Sequence, residues 1–583
     1  MDTNYWRSSR RVRISRRAML RGAALTGAGL AGAALVGCGE ESEPTPVPTE
    51  AATVVQEITT DSESEVARGG TMVVSAPEPP VLDPFRNASV NTKTAAAYVY
   101  SRLYKNQTAP NADPFDLLEE PDLADSAESS DGQHWVVKLK PGVKFHNLEP
   151  VSGREVTADD VLFSWERLTD DSSPNKTQVA EISGVEVVDD YTLSFTTRAP
   201  SPTFIELIAD ANLLFIQPKE AGTGFDPALQ PIGSGPFLWT DHQVDVKHVL
   251  RANPDYFLQG LPYLDAIERR IIPEYANQKA QFESGDLDQL ASSPEDVLDL
   301  RSRFPDAQWL RGSGLGLAWV AFSGEDLDPD AVWRDPRFRQ AISMMLDRYA
   351  LNELAGNTTA LRAAGLDASS RWNSAQPGSF GPRFWLDPQS PEQGESARFF
   401  EYNPEEARRL LDAVGLPSEP LPYEYTNGYS AVFQRMGEAH GGYLADGGLR
   451  LDPRTSDYSS HYITQTFLGN FHGILYGIES TLTPSGYVER LFGDDPANHG
   501  RVHDPVITDL HQKQQTELDP EARTQHFYDI QRRNAEEMFY VPTEHSNPGG
   551  GAWTTYSSRV RGLRRTKGYG AGTEVMMHLW LDS

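Results

Sequence analysis

Trp135-Val136-Val137-Lys138-Leu139-Lys140, then Pro141-Gly142, then Val143-Lys144-Phe145-His146, and shortly after them Val156-Thr157-Ala158-Asp159-Asp160-Val161-Leu162-Phe163-Ser164-Trp165 decide the fold class. Across this stretch the apolar period changes from two to about 3.6 residues. Trp135, Val137 and Leu139 alternate with Val136, Lys138 and Lys140, which predicts a strand with one buried and one wet face. Pro141-Gly142 supplies a turn, so Val143 to Phe145 is expected to return as the partner strand of a half-exposed hairpin. Thr157 followed by Asp160 resembles a capping box, after which Val161, Leu162, Trp165 and Leu168 share one helical face.

The same alternation of strand and helix extends in both directions. Thr71-Met72-Val73-Val74-Ser75 is rich in β-branched residues and runs into a loop at Pro77, which predicts a buried strand. Asn403 can cap a helix begun by Pro404, with Glu405 and Glu406 near its positive end, Ala407, Leu410, Leu411 and Val414 as its buried stripe, and Gly415 as its stop. Asp335-Pro336 starts another, whose Phe338, Ile342, Met345 and Tyr349 are expected to face the core. Such alternation favours α/β lobes over a sandwich or a helical bundle. No internal repeat is found.

Composition limits function. With 583 residues, 39% apolar and 10% aromatic, the chain has ample material for several conventional cores and is not a disordered or fibrous protein. A formal charge of −31, from 83 acidic against 52 basic residues, disfavours nucleic-acid binding, which needs clustered cations. The single cysteine excludes an internal disulfide, a Cys-based zinc site and dithiol redox chemistry.

That cysteine sits in an informative place. Arg7, Arg10, Arg11, Arg13, Arg16, Arg17 and Arg21 precede the uncharged run Gly22 to Gly37, a basic segment followed by an apolar one too short to span a bilayer comfortably. Ser15-Arg16-Arg17-Ala18-Met19-Leu20 resembles a twin-arginine export signal, and Leu35-Val36-Gly37-Cys38 resembles a lipobox, in which Cys38 receives the diacylglycerol. Residues 1–37 are thus expected to be removed, leaving a lipid anchor on Cys38. Residues 38–66 are acidic and rich in Pro, Ser and Thr, and are expected to form a disordered tether.

Several strings, in this order, resemble the oligopeptide and dipeptide type of extracytoplasmic solute-binding protein, family 5, that serves ABC importers. They are Pro121-Asp122-Leu123-Ala124-Asp125-Ser126, Gly142 to His146, Val156 to Val161, Pro231-Ile232-Gly233-Ser234-Gly235-Pro236-Phe237, Asn253-Pro254-Asp255-Tyr256-Phe257, Pro262-Tyr263-Leu264-Asp265, Asp335 to Ile342, Tyr402 to Ala407 and Asp504 to Asp509. The resemblance implies a bilobed periplasmic-binding-protein fold with an extra α/β domain inserted in lobe I. Lobe I would take residues 67–110, 226–318 and 546–583, the accessory domain 111–225, and lobe II 319–545. It also implies a ligand enclosed between the lobes and handed to a permease and ATPase, on the outer face of the cytoplasmic membrane, by a monomer that carries out no covalent chemistry. A sensor lipoprotein on the same fold and a surface hydrolase remain as alternatives.

Cleft-lining regions of that family correspond here to the loop carrying Glu78, the strand with Trp319 and Phe322, the segment with Asn427 and Tyr429, and the stretch Tyr476 to Pro484. Peptide binders of the family usually hold an Asp in the last of these, paired with the peptide amine. This chain has Ser480 at that place, with Glu479 beside it. Either Glu479 takes over from the neighbouring position, which faces the other way in a strand, or the ligand has no amine; the balance leans to a ligand other than an ordinary peptide. Each aromatic named here can equally be core filler.

Other constellations carry little. His499 and His503 have the i, i+4 spacing of a helical zinc pair, but Gly500 and Pro505 argue against a helix and no Glu follows His499. Gly233-Ser234-Gly235 and Gly312 to Gly316 read as turns, not as a nucleophile elbow or a phosphate loop. No metal, cofactor or catalytic set is expected.

Overall fold

Met72, Val74 and Ala76 are buried on β1 (Thr71–Ala76) while Thr71 is exposed and Val73 and Ser75 are half-buried, as the period-two reading requires. This computed structural model describes residues 66–87, 89–110, 118–311, 316–366, 368, 371–429, 431–481, 483–494, 498–543, 545–546, 553–567 and 572–582. Arg16, Arg17, Cys38 and the tether up to residue 65 lie outside them. β1 pairs in parallel with β10 (Ala266–Ile271), and β9 (Lys247–Ala252) and β8 (Phe237–Gln243) continue the sheet antiparallel. β2 (Tyr104–Asn106) pairs with β3 (Glu119–Pro121), and an antiparallel sheet follows in the order β4 (Ala124–Ser129), β5 (His134–Leu139), β7 (Thr192–Thr197), β6 (Ile182–Asp189). Both four-stranded sheets share one hydrophobic core: Met72, Val74 and Ile267 belong to the same cluster as Val137, Leu139, Leu193 and Phe195.

β11 (Gln289–Ser292) and β12 (Gln308–Arg311) do not pair with each other; β20 (Trp553–Tyr556) lies between them and pairs with both. The largest sheet runs β16 (Leu451–Ser456), β15 (Leu421–Thr426), β17 (Ile474–Ser480), β13 (Gly316–Phe322), β18 (Val541–Pro542), and β14 (Arg371–Trp372) pairs with β19 (His545–Ser546). The nearly all-apolar run of β13 is explained by cores on both of its faces. Ala318, Val320 and Phe322 join a cluster with Phe338 and Ile342, while Leu317, Trp319 and Ala321 join another with Tyr487, Phe527 and Tyr540. The chain thus passes between two sheet systems twice, from β12 to β13 and from β19 to β20, which is the bilobed arrangement. No helix among the described residues is long and apolar enough to cross a membrane.

Helix starts follow their sequence signals. Asn403 accepts from the Glu406 N–H at 3.1 Å and Asp335 from the Arg337 N–H at 2.9 Å. Asp160 accepts from the Thr157 N–H at 2.9 Å, but it is also fully buried against Arg154, which grips both carboxylate oxygens at 2.8 and 2.6 Å. Two local expectations fail. Val143 to Phe145 does not pair back on β5, whose neighbours are β4 and β7; this segment instead meets Arg154 and Glu155 through an isolated bridge. Tyr349 is 65% exposed, because the helix Pro336–Met344 stops and a new one, Arg348–Gly356 capped by Asp347, restarts the phase.

The Gly233-Ser234-Gly235 turn is a junction. The His146 N–H donates to the Gly233 carbonyl at 2.7 Å, its Nε2 lies 3.0 Å from the Gly235 carbonyl, the Gly233 N–H points at His146 Nδ1 at 3.4 Å, and the Gly235 N–H donates to the Val99 carbonyl at 2.7 Å. This arrangement suits a neutral imidazole, and burial pushes the His146 pKa down to about 4. The unfolded chain, with an ordinary value near 6.5, binds the proton more readily. Stability is therefore full above pH 6.5 and falls as pH drops towards 4, by about 3 kcal/mol from this residue alone. Urea melts across that range should show a difference in slope between wild type and His146→Asn; parallel pH profiles would refute the assignment.

Candidate functional site

A small cavity of about 40 Å³ lies where segments of both halves meet. One wall comes from β2, β3 and the short helix Phe204–Ala209: Asn106, Glu119, Glu206 and Asp210, with Lys567 beside them. The facing wall comes from the other half: Phe380, Phe384, Thr483 and Pro484. Thr483 and Pro484 are fixed as the N-cap and first residue of the helix Pro484–Phe492, the Thr483 side chain accepting from the Gly486 N–H at 3.1 Å. Phe384 packs edge-on against Phe527 at 5.4 Å and Phe380 against Tyr487 at 5.7 Å.

Charge on the first wall is unevenly compensated. Glu119 is paired with Lys567. Among the described residues, Glu206 has only a long ion-pair contact, 3.9 Å, to Arg523 from the opposite half. Burial pushes its carboxyl above the usual range, against the opposing pull of Arg523. Asp210 accepts from the Asn212 backbone at 2.7 Å and side chain at 3.0 Å, yet burial raises its carboxyl too. A cation arriving in this cavity would relieve both groups.

The cavity holds a few waters at most, whereas pockets for drug-sized ligands measure roughly 300–1,000 Å³. The halves also touch elsewhere. Arg435 reaches Glu295 at 2.7 Å, and Leu361 and Leu366 share a cluster with Trp309 and Trp553. A peptide-sized solute can enter only if these contacts part.

The residues singled out from sequence fall into four groups. Trp319, Phe322 and Tyr476 are core side chains: Trp319 stacks on His499 at 4.6 Å, Phe322 meets Phe338 edge-on, and Tyr476 is sandwiched between Phe433 at 4.7 Å and His440 at 4.5 Å. Glu479 and Ser480 point to opposite faces of β17. Glu479 is buried with its Oε2 3.3 Å from His499 Nε2, and Ser480 is exposed with its N–H donating to Glu479 Oε1 at 2.8 Å. Burial raises the Glu479 carboxyl, but the His499 hydrogen bond and nearby Arg490 outweigh it and hold the group below the usual range. Asn427 is exposed in the bend after β15, and Tyr429 packs on Phe433, Tyr458 and Tyr462 at the same end. Glu78 lies apart from all of these, against His242 and His248. His503 is exposed and separated in role from the buried His499.

Of the stretches expected to line a cleft, only the end of Tyr476 to Pro484 contributes to this cavity. Asn106, Glu119, Asp210, Phe380, Phe384 and Lys567 carried no readable signal. Glu206 did: it is a carboxylate inside the apolar run Phe204-Ile205-Glu206-Leu207-Ile208, where a charge needs a reason.

Residues 119–499 match the family model described as bacterial extracellular solute-binding proteins, family 5, middle region. The chain belongs to this family. Among relatives of this solute-binding protein, the di/tripeptide-binding protein 2 of Pseudomonas aeruginosa is 26% identical over 498 residues, covering 80% of this chain and 88% of the relative. Heme-binding protein A of Haemophilus influenzae is 27% identical over 326 residues, covering 51% of this chain and 54% of the relative, so that match spans about half of each. In fold, this solute-binding protein matches the oligopeptide-binding protein AppA of Bacillus subtilis, solved in complex with a nonapeptide. The TM-score is 0.71 at 20% identity, over 89% of this chain and 100% of the other.

Proposed function

We propose that this chain captures a short peptide or another amine-bearing solute of similar size between its two halves and delivers it, unaltered, to an ABC permease and its ATPase. The observation that carries this reading is the pair of incompletely compensated carboxylates, Glu206 and Asp210, facing Phe380 and Phe384 across a cavity shared by both halves. Ser480, standing where peptide-binding relatives carry an acid, weighs against an ordinary peptide; Glu206 and Asp210 supply the missing negative charge from another element. Relatives named for di/tripeptide binding support the ligand size. A ligand touching both walls binds the closed form better and so draws the halves together, which is the signal an importer reads.

The reading takes residues 67–110, 226–318 and 546–583 as lobe I, 111–225 as the accessory domain and 319–545 as lobe II; the sheet of β1 and β8 to β10 and the sheet of β4 to β7 each fall inside one of these, whereas β13, β19 and the β2–β3 pair straddle the bounds. It also takes Cys38 as a lipid anchor outside the cytoplasmic membrane, supported by its being the single cysteine behind a basic, then apolar, segment. Mass spectrometry of the mature N-terminus checks the anchor.

Thermal melts with di- and tripeptides should show stabilisation that N-acetylated versions do not give. Glu206→Gln should weaken binding by about 10–100-fold, the worth of one charge-assisted contact. Because burial raises Glu206 and Asp210, affinity should fall as pH is lowered into their titration range. Absence of stabilisation by any free-amine compound would sink the proposal.

A further inference from the structure

His242 and His248 sit directly opposite each other on the antiparallel pair β8–β9, so their side chains project from the same face of that hairpin. The loop leaving β1 places Glu78 over them. His242 Nε2 is 2.8 Å from Glu78 Oε1 and His248 Nε2 is 3.0 Å from Glu78 Oε2, with the imidazoles 4.7 Å apart and nearly perpendicular. One donor atom from each of the three side chains lies within 4.8 Å of the others. Tetrahedral zinc at 2.0–2.2 Å from each donor needs them about 3.3 Å apart, which this cluster reaches by small side-chain shifts.

We propose that Glu78, His242 and His248 bind one divalent transition-metal ion of the zinc type, leaving a fourth position open to water or to a solute carboxylate. Two imidazoles and one carboxylate form a borderline-soft N₂O donor set, which selects zinc, nickel or copper over magnesium and calcium. The backbone N–H of Asp245 donates to Glu78 Oε2 at 3.1 Å and orients the carboxylate. His248 is fully buried, with Nε2 held towards Glu78 Oε2 at 3.0 Å and no hydrogen-bond partner for Nδ1 among the described residues, so Nε2 is aimed at the site and becomes a ligand once its proton is displaced. His242 and Glu78 are each partly exposed, which gives an ion a path in from solvent. The three residues share no member with the cavity described above, so this site stands or falls separately from the ligand proposal.

The test is equilibrium dialysis of the chelator-stripped full chain against zinc chloride, with elemental analysis of the protein. Wild type should take up one zinc per chain with micromolar or tighter affinity, and its melting temperature should rise with zinc. Glu78→Gln and His242→Gln, the second at a partly exposed position, should each lower affinity more than about 100-fold while their metal-free melts and circular dichroism stay at wild-type values. That loss exceeds the roughly 10–100-fold that follows from removing a mere hydrogen-bond partner of a ligand. No zinc uptake by wild type, or uptake that either variant keeps within 100-fold, overturns the proposal.

Discussion

Gly233→Ala is expected to destabilise the protein by about 3 kcal/mol or more, because a single added methyl has nowhere to go. A Cβ at this position would stand 2.2 Å from the Val99 carbonyl oxygen and 2.7 Å from the Tyr100 ring. The first of these obstacles is backbone at the end of a buried helix, and Val99 and Tyr100 are both fully buried, so neither can swing aside. Relief would require the turn to withdraw, and withdrawal breaks the hydrogen bonds to His146 and Val99 that tie the turn to its neighbours. Gly235 is held under the same constraint, with Val99 oxygen 2.6 Å from its imagined Cβ. Urea denaturation of Gly233→Ala should show a clearly lower midpoint with an unchanged slope. A midpoint within experimental error of wild type would mean that the close approach of the two backbones does not exist in solution.

Arg348→Ala should cost about 3–5 kcal/mol by a different route. The guanidinium is 1% exposed and spends its donors on backbone carbonyls: Pro542 at 2.8 and 3.2 Å, Phe400 at 2.7 Å and Ser343 at 3.1 Å, with the Ser343 hydroxyl at 2.8 Å. Removing it strands several buried acceptors at once and leaves a void between three segments. It also lies over Phe400 and Trp372, at 5.2 and 5.8 Å from their ring centroids, so its plane as well as its charge is used. Arg348→Lys should therefore recover only a small part of the loss, since a point charge cannot reach carbonyls on three sides. Recovery to wild-type stability in the lysine variant would contradict the forked geometry.

The α/β class and the family were legible because they rest on local rules: period-two strands, capped helices and ordered strings that fold close to where they are read. Asn403 and Asp335 cap the helices their neighbours predicted. One failure is non-local and one is local. Val143 to Phe145 has the composition of a returning strand, but β5 was already taken on both sides by β4 and β7, one of them about fifty residues further along the chain. Tyr349 fits the helical stripe of the segment before it, and only the Asp347 cap, a restart signal, reveals that the stripe had ended.

At the cavity the same limit appears more sharply. Its walls come from stretches around residues 106, 119, 206, 380, 483 and 567, and no spacing in the sequence brings these together. Trp319 and Tyr476 were attractive as large aromatics on strands, yet strands with helices over both faces hide their aromatics, and β13 and β17 are such strands. The Gly233-Ser234-Gly235 string could be read as a turn, but that both glycines are demanded by the passing Val99 backbone is visible only in three dimensions. Likewise Glu78 could be singled out alone, while its two histidines lie far away in sequence and meet it only through the sheet.

β20 is the middle strand of its sheet and arrives almost at the end of the chain. A ribosome therefore delivers β11 and β12 long before the strand that joins them, and the whole of the other half must be translated in between. Until β20 is made, Leu290 and Trp309 have no Trp553 to cover them, and β11 and β12 offer bare edges to any neighbouring polypeptide. Newborn copies thus carry these unpaired edges from about the mid-point of synthesis until β20 emerges, and a chain cut short between residues 311 and 553 can complete one half but not the other.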